Sequence, residues 1–220
     1  MSIPAGTPAA APEATPESYF ARMYQDAEDP WSLGSRWYEQ RKYALTTAAL
    51  PSVRYRSGFE PACSVGALSL LLARRCDRLL SCDRSTRAVG TARDRLEGHP
   101  HVRVEQRLLP EQWPAESFDL IVLSEFLYYL DPAKLRGLLD RAVASLEPGG
   151  TLVAVHWRHP VPDHCQSGDA VHEAVRATPG LVPIASHSEP DFLLDVLVCP
   201  EDPGEDDPVR LSVAAAEGLT

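Results

Sequence analysis

Phe118–Ser124 reads FDLIVLS, a nearly unbroken apolar run with no polar face to offer water. A strand of that kind must be covered on both sides, which is the situation of an inner strand of a parallel sheet flanked by helices. The neighbouring sequence supplies the cover. Strand-like segments at 56–60, 78–82, 102–106, 118–124 and 151–157 alternate with helical periodicity at 65–76, 84–96 and 131–146. Asp131-Pro132 opens the last of these helices with proline in its first turn, and Pro148-Gly149-Gly150 makes a turn before the fifth strand. A helix over 168–177 and strands over 182–187 and 192–199 complete the pattern. Alternation of this kind predicts an α/β fold, a doubly wound and mostly parallel sheet with helices on both faces.

The 220 residues suit one domain, and a hydrophobic fraction of 44% is enough for a core without disulfides or metals. Residues 1–17, rich in alanine and proline, are expected to be disordered. Residues 18–200 form the folded domain, of which 18–50 are aromatic, helical and broken at Asp29-Pro30. Residues 201–220 form an acidic, proline-rich tail, also expected to be disordered. Met1–Pro16 has no basic stretch followed by an apolar one, so it is not read as a signal peptide. No apolar run approaches the roughly 18 residues of a membrane span. The expectation is a cytoplasmic protein. A net charge of -10 argues against nucleic acid or anionic membrane as partners. Five cysteines without a CxxC pair, and no ligand spacing such as HExxH, predict neither a disulfide framework nor a metal. Lys42 and Lys134 are the only lysines in an arginine-rich chain, which reads as a mark of a GC-rich genome.

In such sheets ligands bind outside the carboxyl ends of the strands. The first strand runs into Glu60-Pro61-Ala62-Cys63-Ser64-Val65-Gly66. The glycines of a pyrophosphate-binding loop are missing there, with Ala62 and Ser64 at the earlier small positions. The loop is either a plain strand-to-helix turn or a seat for a smaller anion at a helix N-terminus, such as the carboxylate of an amino acid. The missing glycines, and the lack of a Ser/Tyr/Lys catalytic set, count against a nicotinamide oxidoreductase. Asp83 ends the second strand, near the offset of about 20 residues at which an acid meets a ribose diol; its alternative is to cap the next helix. Arg84 follows it. Leu108 and Leu109 offer apolar walls for adenine. Ser124 and Glu125 end the most buried strand, and Tyr128 and Tyr129 follow. His156, at the end of the fifth strand, is the first candidate for a base, or else a histidine bonded to a neighbouring backbone group. Glu125, Tyr129 and His159 are the other catalytic candidates. Tyr128, Trp157 and Arg158 would shape an acceptor pocket, with His172 at its edge or structural.

Several blocks carry a specific resemblance: Tyr19-Phe20…Asp29-Pro30-Trp31, Ser35–Tyr43 (SRWYEQRKY), Ser124–Leu130 (SEFLYYL), Val155–Pro160 (VHWRHP) and Gly168–Glu173 (GDAVHE). With them the chain resembles the class I S-adenosylmethionine-dependent methyltransferases, and more closely the nodulation protein S-like family, over most of residues 18–200. The resemblance implies a Rossmann-like sheet of seven strands with an antiparallel last strand, S-adenosylmethionine as donor, S-adenosylhomocysteine as product, and no metal. It also implies an N-terminal helical lid, in which Tyr19, Trp31 and Arg41 would cover the cofactor and Arg41 would pair with the methionine carboxylate; the alternative for the tryptophans is packing against the sheet. Ala62 and Ser64 depart from the glycines common in such enzymes, and Arg107-Leu108-Leu109 stands where an acid is often found. The implied reaction is methyl transfer to a small-molecule acceptor, foremost an amine of an amino sugar or natural-product intermediate in secondary metabolism. The alternatives are a hydroxyl acceptor and a non-catalytic S-adenosylmethionine-binding member. A monomer or homodimer is expected.

Overall fold

The alternating segments assemble into one sheet. In the computed structural model, which describes residues 15–202, 204 and 206–220, the strands are β1 (Gly58–Pro61), β2 (Leu79–Asp83), β3 (Val102–Gln106), β4 (Phe118–Ser124), β5 (Leu146–Trp157), β6 (Val182–Ser188) and β7 (Phe192–Val198). Their order is β3-β2-β1-β4-β5-β7-β6. β7 runs antiparallel to both of its neighbours, and the pairings among β1 to β5 are parallel. Seven strands and an antiparallel last one are what the resemblance implies. The order reverses between β1 and β4, so a crevice opens at their carboxyl ends, the usual ligand site of doubly wound sheets.

The apolar run of β4 explains the centre of the molecule. Leu120 and Val122 point into one core layer, and Ile121 and Leu123 into the other. The helices covering these layers are α3 (Ser69–Leu72), α4 (Thr86–Arg95), α5 (Pro132–Ser145) and α6 (Gly168–Arg176). α5 begins as its sequence dictates, with the Asp131 carboxylate accepting from the Lys134 amide and proline in the first turn.

Some boundaries differ from expectation. The helix read over 65–76 shrinks to α3, because much of the segment is closed by i→i+3 bonds such as Leu71 N–H to Leu68 O and Arg75 N–H to Leu72 O. β5 starts at Leu146, so Pro148-Gly149-Gly150 lies inside the strand at a register shift against β4, with Gly149 at φ +76°. The expected disorder over 1–17 falls outside the described residues up to 14; Thr15 is docked, its amide donating to Tyr129 O and its hydroxyl to Asp163 O. The tail carries a one-turn helix, α7 (Val213–Ala216).

α1 (Glu17–Asp26) and α2 (Trp37–Ala48) cross the carboxyl rim of the sheet. Tyr24 of α1 packs with Val65 and Ala88, against Trp31 and Leu33. Tyr24 and Trp31 of the aromatic N-terminal segment therefore pack on the loops where β1 and β2 end, whereas Trp37 is exposed.

Candidate active site

A cavity of about 670 Å³ lies at this rim, between the strand ends and the N-terminal helices. Its size falls within the ordinary range for small-molecule sites. One half is built on the ends of β1 and β2, the other on β4, β5 and the 3-10 turn Leu127–Tyr129.

In the first half, Glu60, Ala62, Cys63, Ser64, Asp83 and Arg84 line the wall. Ala62 and Ser64 hold φ values of 57° and 49°, so they adopt the left-handed backbone that glycine would take more cheaply. The loop is held there by hydrogen bonds. The Ser64 amide donates to Asp83 Oδ2 at 3.0 Å, the Cys63 amide to Cys82 O at 2.8 Å, and the Ser64 hydroxyl meets the Tyr24 hydroxyl at 2.6 Å. Gly66 sits behind the wall at φ +74°; a Cβ there would meet Ala92 Cβ at 3.0 Å, so this glycine allows α4 to approach rather than contacting a ligand. Asp83 is buried, and its second oxygen accepts from the Ser85 amide at 2.8 Å. Burial raises its pKa, against the pull of those two amides. Ser85, not Asp83, caps α4. A carboxylate has about four lone-pair sites, so capacity remains on Asp83 for a hydroxyl in the cavity. Glu60, wholly enclosed, is pushed up to about 7 by burial, with the Ser69 and Ser81 hydroxyls opposing the shift.

The second half is organised by Glu125, which follows β4 at φ +58°. Its Oε1 binds Lys42 Nζ at 2.5 Å; its Oε2 accepts from the Tyr128 hydroxyl at 2.6 Å and from the Trp157 amide at 3.0 Å. Lys42 is only 2% exposed and also pairs with Glu39 at 2.9 Å. Burial alone would lower the lysine's pKa, but Glu125 and Glu39 outweigh it and keep the ammonium charged. Tyr19, Phe20, Tyr129 and His164 close an aromatic wall beside it, with Phe20 at 4.9 Å from the Tyr129 ring and His164 stacked on Tyr128 at 3.7 Å.

Other candidates are placed elsewhere. His156 is fully buried and does not reach the cavity, because it sits behind the Tyr128 ring at 5.4 Å. Its Nε2 accepts from the Leu127 amide and its Nδ1 meets His172 Nε2 at 3.1 Å; His172 Nδ1 bonds Asp195, which also binds Arg176. Burial holds His156 well below the usual imidazole range. It is the alternative reading, a histidine bonded to backbone, that this geometry matches. His172 belongs to the same interior chain rather than to a pocket edge. His159 pairs with Asp191 at the surface, and Arg158 with Asp169 and the Glu189 carbonyl, so neither faces the cavity. Arg41 makes a two-pronged bond to Glu189 at 2.8 and 2.9 Å, outside the cavity. One residue further round α2, Lys42 takes the inward position instead. Leu108 is turned to solvent by the tight Leu108–Gln112 turn, leaving Leu109 as the lining leucine. Tyr19, Trp31, Ser124, Tyr128, Tyr129 and Trp157 do line the cavity.

Sequence reasoning missed Lys42, Glu39 and His164. The signal for the first was available: the chain's two lysines, Lys42 and Lys134, both line this cavity. Among the described residues no group of three or more His, Cys, Asp or Glu is placed to hold a metal ion. None of the described helices is long and apolar enough to cross a membrane.

The family model described as Nodulation protein S (NodS) matches residues 18–176. Nodulation protein S of Sinorhizobium fredii is 33% identical over 129 residues, 58% of this chain and 60% of that relative. Its counterpart in Rhizobium tropici is also 33% identical, over 58% of this chain and 54% of its own length. The matched region thus spans less than two thirds of these curated relatives. Among solved structures, one from Pseudomonas syringae described as a methyltransferase is 53% identical, with a TM-score of 0.67 over 74% of this chain and 99% of that one. The N-methyltransferase NodS of Bradyrhizobium japonicum in complex with S-adenosyl-L-homocysteine is 28% identical, with a TM-score of 0.74 over 84% and 98% of the two chains.

Proposed function

Since the chain belongs to the nodulation protein S family, we propose that it is an S-adenosylmethionine-dependent methyltransferase acting on the amine of a small molecule. The observation that carries the cofactor is Asp83: a buried carboxylate at the switch point, oriented by two backbone amides, with lone pairs left for a ribose diol. The left-handed turns at Ala62 and Ser64 keep the loop open for an amino-acid moiety, and Leu109 is the apolar wall for adenine. Arg84, held 4.9 Å over the Phe20 ring, ties the first half to α1, so that Tyr19, Phe20 and Trp31 act as a lid. With Arg41 committed to Glu189, Arg36 at the start of α2 is the lining guanidinium available for the methionine carboxylate.

The bound cofactor supplies a methyl group already activated on a sulfonium. The protein's own residues then have to hold an acceptor in line and keep water out. Glu125 is engaged by Lys42, Tyr128 and the Trp157 amide, a role that fixes the acceptor wall. The amine preference draws on the relative described as an N-methyltransferase, and an amino sugar or natural-product amine is the acceptor class. We place the protein in the cytoplasm as a monomer or homodimer, without a nucleic-acid partner given its net charge of -10.

Calorimetry tests this reading. S-adenosylhomocysteine should bind and NAD should not, and Asp83→Ala should weaken the former about tenfold or more, since a lost charged hydrogen-bond pair costs ~1.5–3 kcal/mol. Equal affinity for wild type and variant would remove Asp83 from the site, and no binding at all would end the reading.

A further inference from the structure

The loop between β5 and α6 carries His164 to the cavity wall, and the loop is not free to wander. The amides of Cys165 and Gln166 both donate to Tyr128 O, at 2.9 and 3.1 Å, the Gln166 side chain donates to Leu130 O at 2.7 Å, and the Thr15 hydroxyl binds Asp163 O. The imidazole lies flat on Tyr128, 13° from parallel, and edge-on to Tyr129 at 4.9 Å. The same Tyr128 hydroxyl binds Glu125 at the end of β4. His164 is therefore held on the acceptor side by a built surround.

The carboxylates at the strand ends and on α2 have partners. Glu125 and Glu39 pair with Lys42, Asp83 accepts from Ser64 and Ser85, and Glu60 accepts from Ser69 and Ser81. His156 is screened behind Tyr128. Among the described residues His164 is the one imidazole lining the cavity. We infer that His164 accepts the proton that an ammonium acceptor must lose before its nitrogen can be methylated. The inference rests on the methyltransferase reading.

The step balances without another reagent. Near pH 7 an alkylamine arrives as an ammonium ion with no lone pair. One N–H proton passes to the imidazole, leaving a neutral amine and an imidazolium. The nitrogen lone pair forms the N–C bond as the C–S bond of the sulfonium breaks, its electron pair staying on sulfur. A methylated ammonium and a thioether result, and the imidazolium returns its proton to water. The groups facing the ring are Glu125, Asp163, Tyr128 and Tyr129, with Tyr19 of α1 beyond Tyr129 and His156 behind Tyr128. Burial lowers the pKa of His164, while the charges of Glu125 and Asp163 oppose it; the net direction leaves the ring neutral and ready to accept at pH 7.

The test uses the full chain, His164→Phe, which keeps the stack, and His164→Gln. Glucosamine and 2-phenylethylamine serve as amine probes and p-cresol as the phenol. Wild type should methylate an amine with a kcat that falls on the acid side through an ionisation below 6.5. Both variants should bind S-adenosylhomocysteine as wild type does, lose about a hundredfold in kcat at pH 7, the low end of general-base effects, and lose the ionisation below 6.5. Their rate should climb with pH as the amine deprotonates in solution. In the S-adenosylhomocysteine-loaded protein, a histidine NMR resonance absent from His164→Phe should shift when the productive amine is added. Variants with wild-type kcat and acid limb, a wild type with no ionisation below 6.5, or a wild type that binds S-adenosylhomocysteine and methylates neither amine would each overturn the inference. Failure of the wild type to bind S-adenosylhomocysteine would overturn the methyltransferase reading itself, and this inference with it.

Discussion

The two halves of the cavity are held by different physics. The wall formed by the ends of β1 and β2 is a backbone structure: left-handed turns at Ala62 and Ser64, and an acid, Asp83, fixed by two amides. The wall formed by β4, β5 and the 3-10 turn is a side-chain structure: a buried lysine between two carboxylates, a tyrosine on one of them and an imidazole on the tyrosine. Backbone geometry is set by the sheet and tolerates changes of side chain, as Ala62 and Ser64 demonstrate by standing where glycine is usual. A side-chain network depends on every member, because removing one leaves a neighbour buried and unpaired. A common cofactor suits the first kind of wall, and a variable acceptor the second.

Removing the charge at the centre of the second wall is the harshest way to probe that difference. Lys42→Met should destabilise the protein by about 3–5 kcal/mol near neutral pH, the usual result of leaving a buried partner uncompensated. Urea unfolding at pH 7.5 measures it. The loss should shrink toward pH 5, as Glu39, whose carboxyl burial already pushes up, takes up a proton. A loss that is small and independent of pH would mean that packing, not charge, holds this wall.

The first wall holds a smaller electrostatic cost of opposite use. Burial pushes the Glu60 carboxyl up to about 7 in the folded protein, from an ordinary value near 4.5. A raised carboxyl favours the folded state fully below its unfolded pKa, and that contribution is lost as pH rises through the folded value. Between pH 4.5 and 8 the loss amounts to at most about 3 kcal/mol, because each tenfold change in proton affinity is worth ~1.4 kcal/mol. Glu60→Gln, neutral at every pH and still able to accept from Ser69 or Ser81, should therefore be more stable than wild type at pH 8 without cofactor, and no more stable at pH 5. Thermal unfolding at the two pH values checks it. Equal gains at both would show that the site is not desolvated, and the contrast between the halves would weaken.

What the sequence disclosed follows the same division. The sheet was legible because β4 is apolar on both faces and because the alternation around it leaves few other folds. The first wall was legible because its chemistry comes from strand ends and a fixed offset, which locate Asp83 without knowledge of side-chain packing. The second wall was not. His156 and His164 are both histidines near the end of β5, and only the pleat decides that the first points into the core behind Tyr128 while the second is carried back by its loop. Strand periodicity says nothing about a loop residue, so His164 gave no signal. Lys42 gave one that was read as composition: in a chain that otherwise uses arginine, a lysine kept at a buried site reflects the need for a compact point charge between two carboxylates.

Arg41 makes the finest distinction, and the smallest effect. The resemblance implies a cation from α2 against the cofactor, and the arginine in SRWYEQRKY looked suited to it. The helix turns about 100° per residue, so adjacent positions cannot share a face, and the inward one belongs to Lys42. Arg41 is left at the rim on Glu189, where solvent screens the pair. Arg41→Ala should accordingly change the affinity for S-adenosylhomocysteine by less than about twofold, the scale expected of a screened surface pair, whereas an arginine on the methionine carboxylate would cost tenfold or more. Calorimetry separates the two. A tenfold loss would mean that Arg41 leaves Glu189 when the cofactor binds, and that the first wall also relies on a movable side chain.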